Sequence, residues 1–180
     1  MQEADTNRRR LLGWTFWGSL LGFLGPRAAE AANGGPPAVG GAPFGPQVAG
    51  TYLATVLHQG FPPALALITL TADGGFISND TSDQGAGGMV TRDGPVQGTW
   101  KRIGPNQIAA RTLYFAFDPK GMPIWIARST GRFAFDNSFN SGNGTLTVER
   151  FKMDQDPFDP RQAPSDSLNA TITARRIIVP

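Results

Sequence analysis

The feature that most constrains the fold is a series of eight short runs, rich in aliphatic, β-branched and aromatic residues, that starts at residue 49. The runs cover residues 49–57, 64–71, 75–79, 96–103, 107–117, 123–135, 145–151 and 169–179. Glycine, proline, asparagine and aspartate separate them, and Asp73-Gly74 between the second and third is typical of a hairpin turn. No stretch in this region has the apolar period of a helix. The sequence therefore predicts consecutive antiparallel strands.

A sheet of this size that stays open leaves two unpaired edges, whereas closure into a barrel removes both. We therefore predict an all-β fold, a single antiparallel barrel of about eight strands in a meander. A two-sheet sandwich is the alternative, because the same spacing of runs allows it. Barrels of about eight strands either fill their interior with side chains or hold one small ligand.

The sequence Phe-Ala-Phe-Asp occurs twice, at residues 115–118 and 133–136, and each copy ends a predicted strand. Because side chains alternate along a strand, both phenylalanines of a copy share one face and the alanine points to the other. An inward-facing alanine leaves room for a ligand, whereas inward-facing phenylalanines fill the barrel. The sequence leaves both orientations open.

The first 32 residues have the order of a signal peptide. Three arginines at residues 8–10 precede an apolar run at residues 11–24, and the Ala-Glu-Ala at residues 29–31 is an A-x-A cleavage site. The run is shorter than the roughly 20 residues of a membrane-spanning helix. Its tryptophans and glycines make it only moderately apolar, which favours the twin-arginine route over general secretion.

The chain is therefore predicted to have three parts. Residues 1–32 form the signal peptide, which is removed on export. Residues 33–47 are rich in glycine and proline and are predicted to form a flexible segment. Residues 48–180 form the barrel domain, which we expect in the periplasm or outside the cell.

Composition excludes several classes of function. The chain has no cysteine, so disulfides, thiolate metal sites and cysteine nucleophiles are excluded, and its single histidine excludes a two-histidine metal site. Its net charge is +2, and four of the 16 basic and three of the 14 acidic residues lie in the signal peptide. The remaining charge is too small to favour nucleic acid or an anionic membrane. We expect no cofactor, no nucleic-acid partner and no stable membrane insertion after signal removal.

Three segments carry a resemblance to uncharacterised bacterial exported proteins. They are residues 98–106 (Gly-Thr-Trp-Lys-Arg-Ile-Gly-Pro-Asn), 113–118 (Leu-Tyr-Phe-Ala-Phe-Asp) and 173–177 (Thr-Ala-Arg-Arg-Ile). The match covers most of residues 48–178. These proteins resemble calycin- or lipocalin-type barrels and, more loosely, the allene oxide cyclase and dirigent barrels. The resemblance implies architecture and no catalytic residue.

The resemblance also implies a specific packing contact. Lipocalins carry Gly-x-Trp in the first strand, and an arginine of the last strand packs over that tryptophan. Here the first strand has Tyr52 at that position, and Gly-x-Trp occurs in about the fourth run, at Trp100. The resemblance implies that Arg175 or Arg176 covers one of these two rings by a cation–π contact.

Few residues indicate catalysis or metal binding. His58 follows the first run at the expected rim of a barrel, where it is either a general base or a loop residue without a catalytic role. Ser129 is interpreted as a strand residue, because no Gly-x-Ser-x-Gly elbow surrounds it. The sequence around Asp154, Asp156 and Asp159 lacks the glycine and distal glutamate of an EF-hand, which favours a solvated acidic loop.

Charged residues inside the predicted strands leave three alternatives open. These residues are Arg111, Arg128, Arg132, Glu149, Arg150, Arg175 and Arg176. If an arginine enters the lumen, Glu149 can neutralise it, and such a pair could bind a carboxylate or polarise a carbonyl. If an aromatic stripe faces outward instead, it indicates a self-association or partner surface. The third alternative is that the arginine stems lie along the barrel exterior.

The sequence thus supports three functional hypotheses. The first is a non-catalytic barrel that binds a small apolar or aromatic molecule. The second is a cofactor-free isomerase or cyclase of the allene oxide cyclase or dirigent kind, which requires at least one of Glu149, Arg111, Arg128 or Tyr114 inside the lumen. The third is a structural or self-association module with a filled lumen, which would form homo-oligomers. The candidate ligand-binding residues are Tyr52, Trp100, Arg111, Tyr114, Trp125, Arg128 and Glu149; the aromatic ones among them are equally suited to a core.

Overall fold

A computed structural model describes residues 43–81 and 91–180. In these residues a helical turn, α1 (Phe44–Val48), precedes nine strands. The strands are β1 (Gly50–His58), β2 (Ala64–Leu70), β3 (Gly75–Asp80), β4 (Arg92–Asp93), β5 (Val96–Gly104), β6 (Gln107–Phe117), β7 (Pro123–Phe135), β8 (Ser141–Phe151) and β9 (Asp166–Arg176). Eight of them correspond to the eight predicted runs, and β4 is a two-residue addition. The predicted signal peptide lies outside the described residues.

The strands form a closed antiparallel ring. β1, β2, β3, β5, β6, β7, β8 and β9 follow one another around it, and β1 pairs with β9 to close it. The closing pairs run from Tyr52 opposite Arg176 to His58 opposite Ala170. β4 pairs with the end of β6, beyond the stretch of β6 that pairs with β5, and is not counted among these eight strands. The predicted single antiparallel barrel of eight strands is therefore confirmed, and the sandwich alternative is excluded.

Alternation along the strands separates the inside of the barrel from its outside. In β1, Tyr52, Ala54 and Val56 are buried, whereas Leu53 and Leu57 at alternate positions are exposed and Thr55 is half-buried. The same alternation continues in β2 and β6. The core formed in this way includes Tyr52, Ala54, Val56, Ala64, Ala66, Ile68, Leu70, Phe76, Ile108, Ala110, Phe133, Ala170 and Ile172. The two ends of the barrel differ, so we call the end where β1 begins the base and the end where β1 stops the mouth.

The base is closed by α1 and a cluster of aromatic rings. The ring centroid of Phe44 lies 6.0 Å from that of Trp100 and 5.5 Å from that of Phe139, both edge-on. Val48 is completely buried. Residues 44–47, which the sequence assigned to a flexible segment, are helical, because burial of these two apolar side chains stabilises a turn of helix despite the surrounding glycine and proline.

Tyr52 and Arg176 join the first and last strands at the base. The Tyr52 hydroxyl donates to the carbonyl oxygens of Val48 at 2.8 Å and Phe139 at 3.2 Å. The Arg176 guanidinium carbon lies 5.9 Å from the centroid of the Tyr52 ring, and Arg176 donates to the carbonyls of Gln47 and Ala49. Of the two arginines and two rings considered from sequence, Arg176 and Tyr52 make the cation–π contact, which ties α1 to the barrel.

The two Phe-Ala-Phe-Asp copies have opposite orientations. In β6 at the mouth, Ala116 is buried and Phe115 is 51% exposed. In β7 at the base, Phe133 is buried and the ring of Phe135 lies 5.6 Å from that of Tyr52. Both alternatives left open by the sequence therefore occur, one at each end. The base is filled with large side chains and the mouth is lined with small ones.

Glycines in β8 make room for the phenylalanines at the base. Gly144 pairs with Phe133 and Gly142 with Phe135. A Cβ atom at Gly144 would lie 2.8 Å from Cδ1 of Phe133, and one at Gly142 would lie 2.9 Å from Cδ1 of Phe135. Strand β8 therefore starts at residue 141 rather than at the predicted residue 145. The glycines predicted to form a loop are strand residues that the rings cover.

Candidate ligand cavity

A cavity of about 100 Å³ occupies the mouth half of the barrel. Its apolar wall is built from inward-facing residues of all eight strands of the ring, and alanines contribute on β2 and β6. The apolar lining comprises Val56, Ala64, Ala66, Ile68, Phe76, Val96, Ala110, Phe133, Leu146, Val148, Leu168 and Ile172, with Phe61 and Pro62 from the loop after β1. For comparison, an engineered cavity of about 150 Å³ holds a benzene molecule. At about two thirds of that volume, the cavity is on the scale of a small ring or a short aliphatic chain.

Polar side chains also line this cavity. They are contributed by β1, β3, β4, β6, β7 and β8, and they comprise His58, Ser78, Asp80, Asp93, Thr112, Tyr114, Ser129 and Arg150. Ser78 and Thr112 are buried. An apolar wall with a few polar groups is the usual composition of a small-molecule site, since the wall supplies affinity and the polar groups fix orientation.

His58 is the last residue of β1 and lies opposite Ala170 of β9. Its Nδ1 atom is buried, and no described residue forms a hydrogen bond with it. Burial lowers the pKa of His58 below its ordinary value, and the charge of Arg150 acts in the same direction against the opposing effect of Asp80. His58 is therefore a neutral imidazole at neutral pH, with one ring nitrogen facing no protein partner among the described residues.

Arg150 forms an ion pair with a residue of the neighbouring strand β9. Its Nη1 atom lies 3.3 Å from Oδ2 of Asp166, the residue that pairs with it on β9. The carboxylates of Asp80 and Asp93 line the same cavity. Carboxylates therefore outnumber the one guanidinium among the described groups at this mouth.

The structure places the predicted site residues in different parts of the barrel and does not bring them together. Tyr114 lines the cavity. Tyr52 and Trp100 lie at the base, where the indole of Trp100 donates to the carbonyl of Thr71 at 3.1 Å. Trp125 is half-buried on β7 opposite Ala116 and does not line the cavity.

Arg111, Arg128 and Glu149 lie on the outer face of the barrel. Arg111 is exposed, on the same face as Phe115. Arg128 and Glu149 form an ion pair of 2.7 Å. Inward-facing Ala127 and Val148 precede them in β7 and β8, so the pair itself faces outward. The lumenal arginine–glutamate pair considered from sequence is therefore wrong in its location, although the two residues do pair.

The loop between β8 and β9 covers this outer pair. Arg128 donates to the carbonyl of Pro157, and its guanidinium carbon lies 5.0 Å from the centroid of the Phe151 ring, which is 1% exposed. Asp159 in the same loop accepts hydrogen bonds from the side chain of Arg161 at 2.9 and 2.8 Å. The acidic residues of this loop thus form local turns, and no group of three metal-binding side chains occurs within the described residues.

Sequence reasoning missed several cavity residues. Ser78, Asp80 and Thr112 have inward positions that follow from the two-residue period of β3 and β6, so alternation could have assigned them once the inner face was known. His58 was considered at a rim, which is where it lies. Arg150 was considered only as one member of a group of strand charges, because nothing in the sequence distinguishes its face from that of Glu149.

Comparisons with known proteins add no family to this description. No protein-family model matches the chain, and neither a curated protein nor a solved structure matches it significantly. The closed eight-stranded antiparallel barrel is the architecture that the calycin and lipocalin resemblance implies. Among residues 43–81 and 91–180, no helix is long and apolar enough to cross a membrane.

Proposed function

We propose that this protein binds a small apolar or aromatic molecule in the mouth half of its barrel and does not transform it. The observation that carries this proposal is the difference between the two ends. Phe44, Trp100, Phe135 and Phe139 fill the base, whereas the mouth retains a cavity of about 100 Å³ with an apolar wall. A barrel that used its interior only for stability would gain by filling both ends, since each buried methylene contributes about 0.8 kcal/mol.

The same observation favours binding over a purely structural role. The self-association hypothesis requires a filled lumen, and a lumen with a cavity does not meet that requirement. Aliphatic residues are exposed on the outer face of β1 and β2, including Leu53 opposite Leu67, and this surface is compatible with a binding protein as well.

The proposal includes an exported location. The arginines at residues 8–10, the apolar run and the Ala-Glu-Ala at residues 29–31 support twin-arginine export. Replacing all three arginines by lysine in the host is expected to retain the precursor in the cytoplasm. Unchanged appearance of the processed protein in the periplasm or medium would contradict twin-arginine export.

Native mass spectrometry of the protein purified from its own host tests the binding proposal. We expect a mass excess that disappears on denaturation and that corresponds to a molecule of about a single ring or short chain. Protein that carries no adduct, and that also takes up none of benzene, toluene or p-cresol when these are added, would contradict the proposal.

A second candidate function is cofactor-free isomerisation, which two observations favour. Tyr114 lines the cavity, which meets the requirement set for this hypothesis, and neutral His58 lines it too. A neutral imidazole can remove a proton next to a carbonyl while a phenol hydrogen-bonds to the oxygen.

Deuterium exchange at the α-carbons of cyclopentanone in D₂O, followed by NMR, tests this second function. Catalysis predicts exchange faster than in buffer, reduced in both His58→Leu and Tyr114→Phe. An exchange rate equal to that in buffer would contradict it.

A further inference from the structure

We propose that His58 makes this cavity selective for uncharged ligands that carry a hydroxyl group, such as phenols and small cyclic alcohols. This inference rests on the proposed binding function and specifies the ligand class. The observation that carries it is that His58 lines the cavity while its buried Nδ1 atom has no hydrogen-bond partner among the described residues.

A buried polar atom without a partner costs free energy in the empty protein, and a ligand that supplies the partner removes this cost. In a neutral imidazole one ring nitrogen donates and the other accepts. A hydroxyl group can do both, so it satisfies Nδ1 in either tautomer. A carbonyl or an ether oxygen satisfies only a protonated Nδ1, so the hydroxyl is the group that fits this atom most generally.

The cavity wall defines the rest of the ligand. Ala64, Ala66 and Ala110 line it together with Val148 and Ile172, and none of these five side chains has a polar atom. The apolar part of the ligand, about one ring in size, therefore contacts aliphatic side chains, and the hydroxyl group of the ligand faces His58. This arrangement separates the apolar contact surface, which supplies affinity, from the single group that supplies selectivity.

Charged ligands are disfavoured for two reasons. An anion meets the carboxylates of Asp80 and Asp93, while the guanidinium of Arg150 is already within 3.3 Å of Asp166. Asp80 and Asp93 attract a cation, but the cation must lose its hydration in the same surroundings in which burial outweighs Asp80 and lowers the pKa of His58, and it also meets Arg150. Tyr114 completes the described titratable groups that line this cavity.

Isothermal titration of the full-length protein with four probes of similar size tests the inference. The probes are toluene, p-cresol, p-toluate and 4-methylbenzylamine. We expect p-cresol to bind about tenfold more tightly than toluene, which is the effect of one additional satisfied hydrogen bond, and both ions to bind more weakly than toluene.

Two variants assign the selectivity to His58. In His58→Leu, p-cresol and toluene are expected to bind with equal affinity. In His58→Asn, whose amide lies close to the position of Nδ1, part of the preference for p-cresol is expected to return. Circular dichroism establishes that each variant is folded. If the His58→Leu variant fails to fold, the His58→Asn variant and the four probes with the wild type still test hydroxyl selectivity.

The outcomes separate this inference from the function on which it rests. Equal binding of toluene and p-cresol by the wild type, or tightest binding of either ion, would overturn hydroxyl selectivity and leave ligand binding intact. A preference for p-cresol that persists in His58→Leu would overturn the role of His58. Absence of binding of all four probes would overturn both proposals.

Discussion

Filling the cavity with one additional side chain should abolish ligand binding without unfolding the barrel. Ala110 is 6% exposed, lies on β6 and faces the cavity. Replacing it by leucine adds three carbon atoms to a space of about 100 Å³. A molecule of about one ring needs most of that space, so the two cannot be accommodated together.

The magnitude follows from the cavity volume. At about 24 cal/mol per Å³, a space of about 100 Å³ corresponds to about 2.4 kcal/mol of contact free energy, or about 60-fold in dissociation constant. We therefore expect Ala110→Leu to weaken toluene binding by at least about tenfold. Three buried carbons add about 2.4 kcal/mol of stability, and overpacking opposes this by about 1–3 kcal/mol. The free energy of unfolding should therefore change by less than about 2 kcal/mol.

Ala109→Leu is the matched control, because it makes the same change one residue earlier on β6. Ala109 lies between buried Ile108 and Ala110 and so faces outward. Titration calorimetry measures toluene binding to both variants, and urea denaturation measures their stability. Toluene affinity that is unchanged in Ala110→Leu, or that falls equally in Ala109→Leu, would refute the assignment of the ligand to the mouth cavity.

Three further predictions concern the base and its turns. Asp136 accepts hydrogen bonds from the hydroxyls of Ser141 and Ser138, which lower its pKa to about 2 from 3.8. The ionised carboxylate therefore stabilises the fold fully above pH 3.8, and this stabilisation is lost as the pH falls toward 2. In acid-unfolding curves, the free energy of unfolding of Asp136→Asn should differ most from that of the wild type near neutral pH, and the two values should converge near pH 2. A difference that stays constant with pH would contradict this. Tyr52→Phe removes a hydroxyl that donates to two carbonyls and should lower the free energy of urea unfolding by about 1 kcal/mol, whereas an unchanged value would show that these bonds do not stabilise the base. Gly144→Ala would place a Cβ atom 2.5 Å from the carbonyl oxygen of Arg132 and 2.8 Å from the Phe133 ring, and should cost about 1–3 kcal/mol in the same measurement, while Asn143→Ala on the outer face should not; equal effects would contradict the close packing of β7 around Gly144.

The sequence predicts the barrel well because one local rule, alternation between two faces, operates in every strand. Tyr52, Ala54 and Val56 alternate with less buried residues, and the turn residues between runs limit where each strand can end. This rule did not predict the start of β8, because Gly142 and Gly144 are residue types typical of loops. They are recognised as strand residues only once Phe135 and Phe133 are placed opposite them. That pairing joins different strands and is not encoded locally.

The candidate site was harder to predict because its residues are distant in sequence and depend on which face points inward. The sequence does not say whether Arg128 and Glu149, which pair across β7 and β8, face inward or outward. Their outward position follows from the burial of Ala127 and Val148, the residues that precede them. His58 and Arg150 meet in the cavity only because β1 and β8 both adjoin β9 in the closed ring. The sheet must be closed before this proximity exists.

Methyl NMR of the full-length protein during titration with toluene tests the central claim most directly. The methyl groups of Ala64, Ala66, Ala110 and Ile172 line the cavity, whereas those of Leu53 and Leu67 are exposed on the outer face. The account predicts saturable shifts of the cavity methyls with no comparable change outside. Shifts confined to the outer leucines, or no saturable shift at any of these methyls, would contradict binding inside the barrel.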